Sequence, residues 1–336
     1  MAMAINQGQA EILVFGFQEL VELDNTSVTA KSMFHSKRKK EKEGAVVTSS
    51  HISHQYKAWQ DKLDEFVGSN LSERYRLVHS NNMVGLFTCV FMKESECNRV
   101  RDIKSSAIKT GLGGLHGNKG GLAVRMVVDD SSLCFVNCHL AAGQSGVLQR
   151  NSDIETILET KFSDASDNTN FTSKGIFVNG GDGTKIMDHE ICFFFGDMNY
   201  RINRHRQVAI KAIEENAFDQ LLEYDQLGLQ LKKNPGLRLR AFSEKPITFA
   251  PTYKFDVGSD RYDSSDKKRV PAWCDRIFYR GGLKVVPASY YSFSVRASDH
   301  RPVTGVYSVQ LKTIDPGKRK EVYKDSLLRW KEYLAV

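Results

Sequence analysis

Residues 191–202 read ICFFFGDMNYRI, an unbroken apolar run from Ile191 to Phe195 that closes on Gly196, Asp197 and Asn199. An apolar run this short, bounded by a glycine, fits a strand covered on both faces. Gly, Asp and Asn are also favoured turn residues, so a plain turn is the first explanation of the residues after the strand. Asp197 and Asn199 nevertheless occupy alternate positions, and they share one face if strand geometry continues past Gly196. A strand apolar enough for a core that ends in a carboxylate and an amide invites a search for partners.

Similar strands recur along the chain: EILVFGF at 11–17, MVGLFTCVFM at 83–92, GLAVRMVV at 121–128, SLCFVNCHL at 132–140, DRIFYR at 275–280 and RPVTGVYSVQL at 301–311. Between them lie helical patterns, at 54–69, 145–162 and 204–227, each with apolar residues at three- and four-residue spacing. Doubly apolar strands mixed with amphipathic helices predict layered sheets flanked by helices. No internal repeat interrupts the 336 residues, and no linker rich in Pro, Gly or Ser divides them, so one domain is expected. Two polar segments, 35–50 with its Lys37–Lys42 charge run and 163–190, read as surface excursions. Residues 318–336 read as a helix on the domain edge, and residues 1–10 as a poorly ordered start.

The net charge of +7 suits an anionic partner without choosing among nucleic acid, phosphoinositide and inositol phosphate. The six cysteines show no metal-binding spacing and sit mostly in apolar runs, as small buried thiols of a reducing compartment do. No apolar run reaches the roughly 18 residues of a membrane span. These features describe a soluble, cytoplasmic protein.

Five polar stations sit at strand ends. Glu19 follows the first strand, and His139 ends the strand that continues into the small residues Ala141, Ala142 and Gly143. Asp197 and Asn199 form the third, Asp275 in PAWCDRI the fourth, and the adjacent Asp299 and His300 of SDHRPV the fifth. A lone residue of any of these kinds is more often structural than chemical. Five at strand ends of one sheet system can converge on a cleft, where carboxylates hold a hard divalent cation and an Asp-His pair orients an imidazole. Neither a G-x-S-x-G nor a P-loop pattern is present. Water attack on a phosphoester therefore fits best. TGLGGLHGNKGGLAVR surrounds Asn118 and Lys119 with six glycines, which reads equally as a flexible hairpin and as an anion-binding loop. Tyr253, Lys254, Lys267 and Arg269 crowd the segment before Asp275, and Arg201 follows Asn199 by two.

At these residues the chain resembles the inositol polyphosphate 5-phosphatases, through FFFGDMNYRI, PAWCDRI, GNKGG, PTYKFD and SDHRPV, over about Ile12 to Val309. The insertion around NGGDGTKIMDHE is most similar to fungal members. The resemblance implies a DNase I-like, four-layer α/β sandwich of two packed mixed β-sheets with helices outside. It implies a catalytic domain over 11–312 and a helical extension over 313–336. It implies an Mg2+-dependent phosphomonoesterase that removes the 5-phosphate of phosphatidylinositol 4,5-bisphosphate, related lipids or soluble inositol polyphosphates. By that resemblance Glu19 ligates Mg2+, Asp197 activates water, and Asn199 bonds the scissile phosphate. His139 and His300 stabilise the transition state, Asp275 orients His300, and Asp299 assists at the metal or phosphate. Asn118 and Lys119 sit near the 1-phosphate side, while Tyr253, Lys254, Lys267 and Arg269 grip the 4-phosphate and Arg201 adds a phosphate contact. The partner is a lipid headgroup or soluble inositol phosphate, with peripheral membrane contact, no nucleic acid, and a monomeric state.

One departure carries weight. Family members have a strand before this first one that delivers a metal-site asparagine, and the residues ahead of Glu19 are too few for it. The expectation is an N-terminally shortened domain of reduced stability. A catalytically impaired inositide-binding module is then the alternative to the enzyme.

Overall fold

The computed structural model describes residues 10–20, 49–162, 176–178 and 180–334, with side chains of the first helix from residue 54 onward. The charge run at 37–42, the proposed poorly ordered start up to residue 9, and 163–175 of the second excursion lie outside the described residues.

The apolar run ending in Asp197 forms β7 (Ile191–Asp197), which lies inside a six-stranded sheet of order β4-β5-β6-β7-β9-β8. The other members are β4 (Val100–Gly111), β5 (His116–Val128), β6 (Ser131–His139), β8 (Ser243–Glu244) and β9 (Asp275–Arg280). β6 and β7 run parallel, and the other pairings are antiparallel. Facing it are a three-stranded sheet, with β3 (Leu86–Lys93) between β1 (Ile12–Phe17) and β2 (Tyr75–Met83), and a hairpin of β10 (Val285–Ser292) and β11 (Val303–Val309).

Residue alternation explains the layers. On β6 and β7, Leu133, Phe135, Ile191 and Phe193 point inward and pack with Val90 and Met92 of β3 and Val285 of β10. Cys134, Val136, Cys192 and Phe194 point the other way, against Ile154, Ile157 and Leu158 of helix α2 (Val147–Glu159). Phe87, Cys89 and Phe91 of β3 pack outward on Tyr56, Leu63 and Val67 of α1 (Ser49–Asn70). Helix, sheet, sheet and helix therefore stack as the resemblance implied. All six cysteines are free and buried. Gly16 lets β1 press onto the large sheet, since a Cβ there would stand 2.5 Å from the Phe195 ring. Among the described residues β1 pairs with β3 alone and β11 with β10 alone, so each carries an open edge.

Two helix readings need correction. The pattern at 204–227 is not continuous: it breaks into α3 (Arg206–Glu214) and α4 (Phe218–Leu222), and its last two residues open a third helix, α5 (Gln226–Lys233). Asn216 turns left-handed (φ 52°) after α3, and Asp225 caps α5 by accepting from Gly228 N at 2.8 Å. The second break is needed because Asp225 also holds Arg276 at 3.0 Å. The C-terminal helix exists as α6 (Pro316–Leu334), but none of its residues is buried, and Leu327, Leu328 and Trp330 are exposed rather than packed on the domain. Among the described residues no helix is long and apolar enough to cross a membrane.

Candidate active site

Strand register brings the site together. His139 at the end of β6 lies opposite Asp197 at the end of parallel β7, and Asp197 lies opposite Asp275 at the start of β9. His139 and Asp197 continue the inward faces of their strands, so Phe135, Asn137 and His139 form one column and Phe193, Phe195 and Asp197 the next. The apolar members anchor each column in the core, and the terminal polar group gains a fixed position.

Beyond Asp197 the strand geometry stops. Asn199 adopts a left-handed conformation (φ 56°), so it meets Asp197 through a turn and not by alternation along a strand. Its backbone N–H donates to Asp197 Oδ1 at 2.9 Å and its amide to Asp197 Oδ2 at 3.0 Å. The second amide hydrogen goes to Leu140 O at 3.0 Å, and Asn199 Oδ1 accepts from Arg201. Both donors of the amide are thus engaged inside the protein. Arg201 is buried and stacks on the Tyr253 ring at 4.4 Å.

His139 Nε2 is 3.3 Å from Asp197 Oδ2 and 3.6 Å from Glu19 Oε1. Glu19 follows β1 with a left-handed backbone (φ 54°), and Leu20 N bonded to Gly85 O fixes that turn. Its carboxylate is 68% exposed, with oxygens open to solvent. Lys119 Nζ lies against His139 and 3.9 Å from Glu19 Oε1. Burial lowers the Lys119 ammonium below its ordinary range, against the pull of Asp197 and Glu19. Burial raises Asp197, yet the bond to His139 and the charges of His300, His139 and Lys119 overcome it and hold the carboxyl well below the usual range.

On the other flank His300 Nδ1 reaches Asp275 Oδ2 at 2.9 Å, and Thr252 Oγ1 donates to the same oxygen at 2.6 Å. Burial pulls the imidazolium down, but Asp275, with Asp197 and Asp299 behind it, lifts His300 from 6.5 to about 9. Tyr253 packs its ring 4.5 Å from His300. Lys254 and Asp299 pair at 2.5 Å; burial raises Asp299, and Lys254 and His300 more than reverse it.

The structure therefore brings together Glu19, Lys119, His139, Asp197, Asn199, Arg201, Tyr253, Asp275 and His300, with the Lys254–Asp299 pair joined to them at Tyr253 and His300. Asn118 sits beside the cluster, its N–H donating to His116 Nδ1 at 3.3 Å. Arg269 is tied to Asp263 at 3.3 Å and Lys267 is exposed, and among the described residues neither hydrogen-bonds a member of the cluster. Sequence reasoning missed the residues that hold the loops. Asn137, buried in β6, accepts from Gln18 at 2.6 Å and donates to Phe17 O at 3.2 Å, which places Glu19. Arg150, fully buried, donates to Ala141 O, Gly143 O and Gln226 Oε1, while Gln226 Oε1 also accepts from Arg201 N. A polar residue inside the apolar run FVNCH was a readable sign for Asn137; nothing local marked Gln226.

A glutamate, an Asp-Asn turn and an Asp-His pair at one sheet edge can be compared with known proteins. The endonuclease/exonuclease/phosphatase family 2 model matches residues 2–306. The inositol polyphosphate 5-phosphatase domain of SPsynaptojanin, solved with inositol (1,4)-bisphosphate and calcium, superposes with a TM-score of 0.75 at 33% identity, covering 97% of this chain and 83% of that one. The chain belongs to the inositol polyphosphate 5-phosphatase family. A probable inositol polyphosphate 5-phosphatase of Schizosaccharomyces pombe is 46% identical over 98% of this chain and 27% of its own length. Rat synaptojanin-2 is 32% identical over 95% of this chain and 20% of its own length. The chain thus spans about a quarter of the curated relatives it matches. Cimex nitrophorin, at 18% identity and a TM-score of 0.59, shares the fold alone. Membership of the 5-phosphatase family accounts for a cluster that mixes carboxylates, imidazoles and cationic side chains without a serine or cysteine nucleophile.

Proposed function

We propose that this chain hydrolyses the 5-phosphate of inositol phosphates and phosphoinositides by direct attack of water, with Mg2+ as cofactor. The observation that supports it most is the register of β6, β7 and β9, which sets His139, Asp197 and Asp275 level at one sheet edge with His300 beside them.

Glu19 fits a magnesium ligand. Its oxygens are hard, largely exposed and, among the described residues, without a hydrogen-bond donor, and Mg2+ keeps much of its water when one or two carboxylates hold it. Bound there, the metal would supply charge stabilisation to the phosphoryl oxygens. Asp197, ionised and held by Asn199, orients the attacking water and takes its proton as the phosphorus–oxygen bond forms. The ester bond to the inositol ring breaks, and the departing ring oxygen takes up a proton from solvent as Asp197 returns its own, leaving a hydroxyl and inorganic phosphate. His300 as imidazolium, aligned by Asp275, faces the charge that grows on the phosphoryl group, with His139 on the opposite side. Asn199 acts here by fixing Asp197 and Arg201, because both its amide donors are engaged. Lys254, Tyr253 and Arg201 line the flank suited to a second ring phosphate, with Arg269 and Lys267 on the loop behind. Lys119 and Asn118 lie toward the β4–β5 hairpin.

That hairpin supports a lipid substrate. β5 starts before the residue that pairs with His139, so the tip projects past the site, and Leu112 and Leu115 on it are 67% and 59% exposed. Leu148, in the first turn of α2 after the same strand end, is 80% exposed. Exposed leucines on the hairpin tip and at Leu148 suit a peripheral contact with a bilayer.

Phosphate release from inositol 1,4,5-trisphosphate with Mg2+ tests the reading. Turnover that is abolished in EDTA and lost by a factor of at least about 10³ in Asp197→Ala is expected. Headgroup binding without turnover at saturating Mg2+ would refute hydrolysis and leave a binding module.

A further inference from the structure

Lys119 occupies an unusual place for a lysine. Its side chain is only 17% exposed, its Nζ lies against both ring nitrogens of His139, and Glu19 Oε1 is 3.9 Å away. The same imidazole touches Asp197, which is buried. The ammonium thus meets Glu19 and His139 directly, and Asp197 lies behind it on the far side of the imidazole. We propose that Lys119 is the resident counter-cation of this cluster, which holds Glu19, His139 and Asp197 together until a divalent cation binding at Glu19 displaces it. The inference rests on the reading of Glu19 as the metal-holding residue.

The physics gives Lys119 two effects of opposite sign. With the ammonium in place, Glu19 has an opposite charge 3.9 Å away and Asp197 one beyond His139, which favours the folded arrangement. The same charge repels an incoming divalent ion, so the metal binds only by moving it aside. The lysine stem has four rotatable bonds, and the ammonium can withdraw without any change in β5. A side chain that served only for packing would act differently: removing it would weaken stability and metal binding together.

The experiment compares the full chain with Lys119→Met, Lys119→Gln and Lys119→Arg, by calorimetric titration with Ca2+ alone and by thermal unfolding in EDTA and in Ca2+. Both neutral variants are expected to bind Ca2+ on the order of tenfold more tightly than the parent. They should melt a few degrees lower in EDTA, roughly the shift of a modest ion-pair loss in a domain this size, and Ca2+ should restore the parent temperature. Lys119→Arg keeps the charge and should stay within about twofold of the parent in Ca2+ affinity. Neutral variants that bind Ca2+ no more tightly, or melt in EDTA with the parent, overturn the assignment of Lys119 while leaving the metal site standing. Neutral variants that stay unfolded at saturating Ca2+ overturn it as well, because calcium is meant to replace the ammonium. Absence of Ca2+ binding in every chain, parent included, overturns the metal reading of Glu19 and this inference with it.

Discussion

Replacing Asp275 by Asn removes the charge that keeps His300 protonated while leaving a side chain of the same shape. In the folded protein burial acts against the imidazolium, and Asp275 reverses that through a 2.9 Å contact, lifting His300 from 6.5 to about 9. At pH 7.5 a group of that pKa is about 97% charged, whereas one returned to its ordinary value is about 9% charged. If hydrolysis needs the imidazolium, Asp275→Asn should lower kcat/KM by up to about tenfold at pH 7.5 through protonation alone, with a smaller loss near pH 5.5. The alkaline limb of the pH profile, near 9 in the parent, should move at least one unit toward acid. Asp197 and Asp299 remain in the variant and keep part of the lift. The stability obeys the same linkage. Because the folded value lies above the unfolded one, the contribution of His300 is complete below about pH 6.5 and is lost as pH rises through about 9. Its size is at most about 3 kcal/mol, and urea melts at pH 6 and pH 9.5 should show that difference shrink in the variant. The assay is initial phosphate release across pH 5.5–10 at fixed Mg2+, with melts in parallel. A variant that loses the same factor at every pH, with its alkaline limb still near 9, would refute this account and leave Asp275 as a purely geometric support.

Packing and exposure give three further expectations. Gly196→Ala should destabilise by at least about 2 kcal/mol in urea melts, because φ is 128° and the added Cβ would stand 2.2 Å from Cys138 O; a midpoint equal to the parent would contradict the β6–β7 spacing. Arg150→Met should cost about 2–4 kcal/mol, since the carbonyls of Ala141 and Gly143 and the Gln226 amide oxygen lose a buried charged donor; a change below about 1 kcal/mol would mean the loop after His139 is held elsewhere. The pair Leu112→Glu and Leu115→Glu should slow hydrolysis of lipid in anionic vesicles about tenfold or more while leaving turnover of a soluble inositol phosphate unchanged, and equal loss on both substrates would remove the hairpin from the membrane contact.

Much of this architecture is legible in the chain because strand alternation is a local property that the core enforces. Phe193 and Phe195 set which face of β7 is inward, and that choice alone fixes where Asp197 points. The strand ends could be named for the same reason. What the chain could not reveal is how far each polar group is committed to its neighbours. Asp197 and Asn199 looked like two groups on one face, yet the backbone turns at Asn199 and the two become donor and acceptor to each other. Gln226 illustrates the opposite case. It lies at the start of a short helix with an unremarkable sequence, and it matters only because tertiary packing sets it between Arg150 and the Arg201 backbone. The break before that helix was hidden for the same cause: an apolar period running from 204 to 227 favours one helix, and the buried Arg276, held by Asp225 and Glu244, demands a cap near its end. Helix continuity yields there because leaving a buried guanidinium without its carboxylates costs several kcal/mol, while ending a helix at a good aspartate cap costs about one or less. Arg276 adjoins Asp275 in sequence, so the interaction that interrupts the helix also anchors the strand that presents Asp275 to His300.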